Sequence, residues 1–283
     1  MSAASPIVRL GAVSYLNTRP LVEGLDVRPD VALRFDVPAR CADLVAAGEV
    51  DLGLVPIIEY ARHADDYAVV PDISIASLGA VDSVALFTRQ PIARVRTIAL
   101  DVSSRTSAGL VRLLCARLWN IRPAFVPAAP DIRGMLAAAD AALLIGDPAL
   151  FLDPASVDAE KIDLGLAWRA MTGLPFVWAV WAGRVGAASP AVCRMLYETR
   201  VRGVASIDAI ARRERPDDPA GQGVVARYLR ETITYGLDAP LLAGAQAYFD
   251  GLAGEGLIPR APRLRMFASA IASGHTPVAP ADC

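Results

Sequence analysis

The chain has little of what enzymes most often use for chemistry. Its 283 residues include two histidines. His63 falls in a helical stretch beside Asp65 and Asp66, and His275 lies near the C-terminus, so neither completes a Ser-His-Asp or Cys-His site. Four cysteines (Cys41, Cys115, Cys193 and Cys283) are scattered without metal-like spacing and read as reduced packing residues rather than a disulfide framework. No His/Cys/Glu cluster resembles a metal site, and no cofactor is implied. The balance of 28 basic against 30 acidic residues, net −2, contains no basic stripe, which argues against a nucleic-acid partner and against a polybasic membrane contact. Apolar residues make up 54% of the chain, much of it alanine. No uninterrupted apolar run approaches the roughly 20 residues that a spanning helix needs. Residues 1–6 show neither the charged nor the apolar region of a secretory signal, so a cytoplasmic location is expected.

What is present is a regular alternation of short apolar runs and amphipathic stretches. The length suits two domains of roughly 100–200 residues each. Strands are expected at 7–13, 31–37 and 50–55, with helices at 17–25, 38–48 and 56–64 between and after them; Pro38 and Pro56 open the last two and Gly48 closes the second. This βαβαβα order predicts a mainly parallel sheet covered on both faces. A strand at 83–88 leads to Arg89-Gln90-Pro91, the expected crossing into an inserted lobe. That lobe has strands at 97–100, 124–126 and 141–145, helices at 104–119 and from about 131, and a return strand at 176–181. Beyond Gly183 come three long helices, at 189–213, 221–235 and 240–252, and a frayed tail from Ser273. The fold class read from this pattern is α/β and two-lobed, with lobe I formed by 1–88 and 184–283, lobe II by 89–183, and the ligand cleft between them.

Two segments stand out as strand-to-helix junctions rich in hydroxyls: Ser14-Tyr15-Leu16-Asn17-Thr18 and Asp101-Val102-Ser103-Ser104-Arg105-Thr106-Ser107. Free N–H groups at a helix start, with the positive end of its dipole, suit a carboxylate or phosphate. Ser103, Ser104, Thr106 and Ser107 exceed what an ordinary N-cap requires, and the spacing is not that of a P-loop. Asn17 either caps its helix or offers an amide to a ligand, and Tyr15 either bonds a ligand or packs between lobes. Thr172 and Gly173 supply a hydroxyl and a backbone donor ahead of Phe176, an aromatic wall or a core residue. Gly146-Asp147 follows a buried strand, where Asp147 faces a ligand or caps a helix.

Taken together, these segments resemble the chorismate dehydratases of the futalosine route to menaquinone. The resemblance rests on residues 14–21, 47–56, 81–84, 103–107, 144–150 and 168–177 and covers nearly the whole chain. It implies a type 2 periplasmic-binding-protein-like fold used as a cytoplasmic lyase that converts chorismate, a dicarboxylate, to 3-(1-carboxyvinyloxy)benzoate and water without a cofactor. It also implies Asn17, Ser83 and Asp147 as catalytic positions. The substrate-binding positions it implies are Ser14, Tyr15, Pro56, Ser103, Ser104, Arg105, Thr106, Ser107, Gly146, Thr172, Gly173 and Phe176.

The ring proton beside the enolpyruvyl ether of chorismate is acidified through the ring double bond by the ring carboxylate. Its removal gives a dienolate, hydroxide leaves, and the ring becomes aromatic. Asp147 and Glu59 are the protein candidates for the base; the substrate's enolpyruvyl carboxylate is the third and is favoured here. Three other readings compete. One is a binding protein for a small carboxylate, which expects a leader segment. The second is the sister enzyme 1,4-dihydroxy-6-naphthoate synthase, which expects a histidine in the segment where this chain has Gly146. The third is the ligand-sensing domain of a transcription regulator, which expects a helix-turn-helix. Whether the C-terminal helices carry a homodimer surface stays open at this level.

Overall fold

A computed structural model describes residues 7–268. The frayed tail expected from Ser273, with His275 and Cys283, lies outside the described residues. The chain begins with β1 (Val8–Val13), a 3-10 turn (Leu16–Thr18) and a short α1 (Arg19–Val22), where one longer helix was expected. It continues through β2 (Val31–Asp36), α2 (Pro38–Ala46), β3 (Leu52–Pro56), α3 (Ile57–Arg62) and β4 (Tyr67–Ser77). Then follow β5 (Val84–Thr88), β6 (Thr97–Asp101), α4 (Arg105–Arg117), β7 (Ala124–Ala128), α5 (Ile132–Ala138), β8 (Ala141–Ile145), α6 (Gly146–Phe151), β9 (Glu160–Asp163) and α7 (Leu164–Thr172). The chain ends with β10 (Phe176–Arg184), α8 (Pro190–Ala205), α9 (Ile207–Glu214), α10 (Pro219–Arg227), a π-helical segment (Tyr228–Thr232) and α11 (Ala239–Gly254).

These elements form two five-stranded sheets, β2-β1-β3-β10-β4 and β7-β6-β8-β5-β9. In the first, β1 runs parallel to β2 and β3, while β10 is antiparallel to β3 and β4. In the second, β6 is parallel to β7 and β8, and β5 is antiparallel to β8 and β9. The antiparallel pairings arise where a strand enters from the opposite lobe, because the crossing reverses its direction. Sheet membership moves two strands from their expected sides. Val84–Thr88 does not finish the first lobe: every residue of β5 is buried, and it sits inside the second sheet between β8 and β9. Phe176–Arg184 belongs to the first sheet. The crossings therefore fall at 78–83 and 173–175.

β4 and β9 carried no clear strand signal. In β4, Pro71 and Asp72 interrupt the apolar run, and Asp72 has φ 62°. The strand survives them because it lies at the sheet edge, where a proline and a register shift against β10 are tolerated. Ser206 divides the expected helix 189–213 into α8 and α9.

One continuous core runs through both lobes, from Leu10, Leu52 and Val180 in the first sheet to Leu86, Ile98 and Leu143 in the second. Where the lobes meet, Trp168 of α7, Phe176 and Trp178 of β10 and Tyr248 of α11 form an aromatic cluster with ring centroids 4.3–6.1 Å apart. Such edge-to-face pairs contribute about 0.5–1.5 kcal/mol each beyond their buried area. α4 is drawn hard against the first lobe at Gly109, where an added Cβ would lie 2.6 Å from the Tyr248 hydroxyl and 3.0 Å from Ile58 Cδ1. That close approach fixes where the α4 N-terminus points. Among the described residues no helix is long and apolar enough to cross a membrane.

Candidate active site

A cleft between the two sheets, with about 530 Å³ of empty space counting its open side, lies at the carboxyl ends of β1, β6 and β8. Its polar lining is Tyr15, Asn17, Ser83, Ser104, Thr106 and Ser107. Val13, Ile75, Val81, Val84, Ile145 and Trp178 form an apolar wall, and Pro38, Pro56, Gly146 and Ala179 complete it. Every polar side chain in that lining is formally neutral, and no Lys, Arg, His, Asp or Glu among the described residues is part of it.

The α4 junction forms one side. Ser104 is the N-cap residue in extended conformation, yet its side chain makes no capping hydrogen bond, and it is 5% exposed. Its hydroxyl is thus available to the cleft, together with first-turn N–H groups that have no partner within the helix. Thr106 anchors the turn to the first lobe: its carbonyl accepts the Tyr248 hydroxyl at 2.8 Å and its Oγ1 accepts the Ile58 N–H at 3.4 Å. Beneath the junction, Asp101 Oδ1 accepts both the N–H and the hydroxyl of Ser103, at 2.8 and 2.6 Å. Burial raises the Asp101 carboxyl above its ordinary range, and the two Ser103 bonds oppose this.

The β1 junction forms the other side. Tyr15 lies flat against the backbone of Gly146, which has φ 70°; a Cβ added there would sit 2.6 Å from the Tyr15 ring. Burial raises the Tyr15 phenol above its ordinary range, so it keeps its proton at neutral pH. Asn17 lies in the 3-10 turn, and Ser83 on the crossing from β4 to β5.

The structure therefore brings together Tyr15, Asn17, Pro56, Ser83, Ser104, Thr106, Ser107 and Gly146 from the expected set. It places the others elsewhere. Ser14 is exposed at the end of β1, bonded through its N–H to Asp36. Ser103 is turned into the Asp101 knot. Arg105 leaves the cleft to pair with Glu59 at 3.0 Å and Asp43 at 2.8 Å. Asp147 Oδ1 accepts the Leu16 N–H at 3.0 Å, beside the cleft rather than in its lining. Thr172 and Gly173 close α7: the Thr172 hydroxyl donates to the Trp168 carbonyl at 2.9 Å, and Gly173 is the left-handed cap at φ 73°. Phe176 is 1% exposed, inside the aromatic cluster. Glu59, the other carboxylate considered as a base, is 4% exposed and bridged by Arg62 at 2.7 Å as well as by Arg105. His63 stacks on Tyr67.

Of the apolar wall, sequence reasoning offered only the aromatics of 172–178, of which Trp178 lines the cleft, and it missed the rest and Tyr228. The wall residues Val13, Ile75, Val84, Ile145 and Trp178 lie on five different strands and Val81 on the crossing, and they look like any buried position. Tyr228, 2% exposed, lies 2.7 Å from Ser83 through its hydroxyl. A tyrosine in an apolar helical pattern carries one usable hint, that a buried phenol needs a polar partner.

A family model described as menaquinone biosynthesis matches residues 8–253. The curated chorismate dehydratase of Thermus thermophilus is 31% identical over 259 residues, covering 86% of this chain and 94% of that protein. A crystallised protein of Archaeoglobus fulgidus superposes with TM-score 0.72 at 15% identity, over 89% of this chain and 98% of that one. The periplasmic aliphatic sulphonate binding protein of Escherichia coli superposes with TM-score 0.64 at 16% identity, over 99% and 98% of the two chains. The last of these shows the two-lobed periplasmic-binding-protein fold. By the match along its length and by its full-length relative, the chain belongs to the menaquinone biosynthesis family.

Proposed function

We propose that this chain is a cytoplasmic chorismate dehydratase, eliminating water from chorismate to give 3-(1-carboxyvinyloxy)benzoate in futalosine-dependent menaquinone formation. The observation that carries the reading is the character of the cleft: neutral donors on two opposed junctions and no ionisable carboxylate, imidazole or amine in the lining. A dianionic substrate suits donors that keep their protons, and hydrogen bonds to a charged acceptor are about twice as strong as neutral ones. The α4 N-terminus with Ser104 and Ser107 would hold one carboxylate, and Asn17 with Ser83 would orient the other or the departing hydroxyl.

Elimination requires a base at the ring carbon bearing the enolpyruvyl ether. Asp147 and Glu59 are both committed to other partners, to a backbone N–H and to two arginines. The substrate's enolpyruvyl carboxylate, bent over the ring by the cleft, is the group left to take the proton. The C–H electrons enter the ring as a dienolate stabilised through the ring carboxylate. The adjacent C–O bond then breaks, and the leaving hydroxide takes up a proton as water while the ring becomes aromatic. Holding the substrate in that bent geometry in a shielded cleft is where the rate would come from.

The sister naphthoate synthase reading is disfavoured by Gly146. A histidine there would need both a left-handed backbone and space occupied by the Tyr15 ring. The test is direct: incubate the protein with chorismate and follow the mass of the small molecule. Loss of one water supports the dehydratase. Chorismate that binds but keeps its mass points to the carboxylate-binding protein and overturns the proposal.

A further inference from the structure

One group acting on Ser83 comes from neither junction. After α10 the backbone widens into π geometry over Tyr228–Thr232. Two side chains of that segment grip consecutive residues of the β4–β5 crossing. The Tyr228 hydroxyl lies 2.7 Å from Ser83 Oγ, and Thr232 Oγ1 donates to Asp82 Oδ2 at 3.1 Å. The crossing needs such anchors: Asp82 has φ 59°, a strained value for a residue with a side chain. π segments are rare and recur at functional sites. Tyr228 itself is outside the cleft lining, so its hydroxyl acts on the cleft only through its neighbours.

Proton counting assigns a direction to this junction. A phenol has one proton to give and two lone pairs. In a cleft built for carboxylates, Ser83 is useful when its own proton points at the ligand. That needs the Tyr228 proton on Ser83 Oγ. Chained in this sense, each bond polarises the next. Burial pushes the Tyr228 phenol far above its ordinary range, so the proton stays in place.

We propose that Tyr228 is a positioning residue for the dehydration: by donating to Ser83 it makes Ser83 a donor toward the substrate and, with Thr232 on Asp82, holds the crossing in register. The inference rests on the dehydratase reading of the cleft. Its test is a set of variants assayed with chorismate for turnover, for binding by calorimetry and for thermal midpoint. Tyr228→Phe should lower kcat on the order of tenfold to a hundredfold while KM moves by less than about threefold. Ser83→Ala/Tyr228→Phe should be no slower than Ser83→Ala, within about twofold, because both changes remove one device. Tyr235→Phe is the control: that buried phenol has no hydrogen-bond partner, so kcat should not change.

Wild-type kcat in Tyr228→Phe, with or without a lowered midpoint, overturns the proposal, as do losses that multiply in the double variant. If the wild-type protein binds chorismate without dehydrating it, the dehydratase reading falls on its own. An affinity loss common to Ser83→Ala and Tyr228→Phe, not multiplied in the double variant, then still supports the relay. Independent affinity losses overturn it. If the wild-type protein neither binds nor converts chorismate, both fall.

Discussion

The Asp147 carboxylate accepts the backbone N–H of Leu16 at 3.0 Å, joining the start of α6 in one lobe to the turn after β1 in the other. This is a clamp between lobes, and in the proposed reaction Asp147 serves as that clamp and not as the base. Asp147→Ala should destabilise the protein by about 1–3 kcal/mol by orphaning the Leu16 N–H. Asp147→Asn retains an acceptor and should keep kcat within about fivefold, whereas loss of a general base typically lowers it by 10²–10⁴. Steady-state kinetics and denaturant titration check both.

The same carboxyl gives a pH dependence. Burial raises it, against the Leu16 N–H, which lowers it. The folded state therefore favours the protonated form. That contribution is fully present below the ordinary aspartate value, about 4, and is lost as pH rises through the raised folded value. The midpoint of Asp147→Asn relative to wild type should thus be higher near pH 7 than near pH 4. An unchanging difference would contradict this.

Gly146 meets Tyr15 in a contact that no side chain can share. Gly146→Ala should cost about 1–3 kcal/mol through its left-handed backbone alone. It should also displace the Tyr15 ring and cut kcat/KM by roughly tenfold or more. Gly146→Ala/Tyr15→Ala should melt higher than Gly146→Ala, a double-variant comparison read by thermal denaturation.

Ser104 and Ser189 both stand at helix starts, but only Ser189 caps, accepting the Val192 N–H at 3.3 Å. Ser189→Ala should cost about 1 kcal/mol of stability with activity intact. Ser104→Ala should leave stability nearly unchanged and weaken chorismate affinity by roughly tenfold, the loss of one charge-assisted bond. Calorimetry and melting curves separate the two.

Most of the scaffold was legible because its signals are local. The apolar runs of β1, β3, β6 and β8, and Pro38 at the start of α2, each declare an element without reference to the rest. Of the site, the two junctions were legible for the same reason: the hydroxyls at 103–107 exceed what a cap needs. What failed depends on distant partners. Arg105 looks like a ligand-binding cation until Glu59 and Asp43, from separate elements, take its charge. Thr172, Gly173 and Phe176 look like a pocket rim, but they serve the α7 cap and the aromatic cluster. Tyr228 was hidden because its partner, Ser83, is 145 residues away. Val84–Thr88 went to the wrong lobe because strand patterning gives no information on which sheet will pair with it.

The central claim is that a cleft of neutral donors leaves the proton transfer to the substrate's own enolpyruvyl carboxylate. It is tested most directly by offering the wild-type protein chorismate and, separately, chorismate converted to the amide at that carboxylate alone, while following the loss of water by mass. Chorismate should lose one water, and the amide should bind without losing it. Dehydration of the amide at a rate comparable to chorismate would contradict the account.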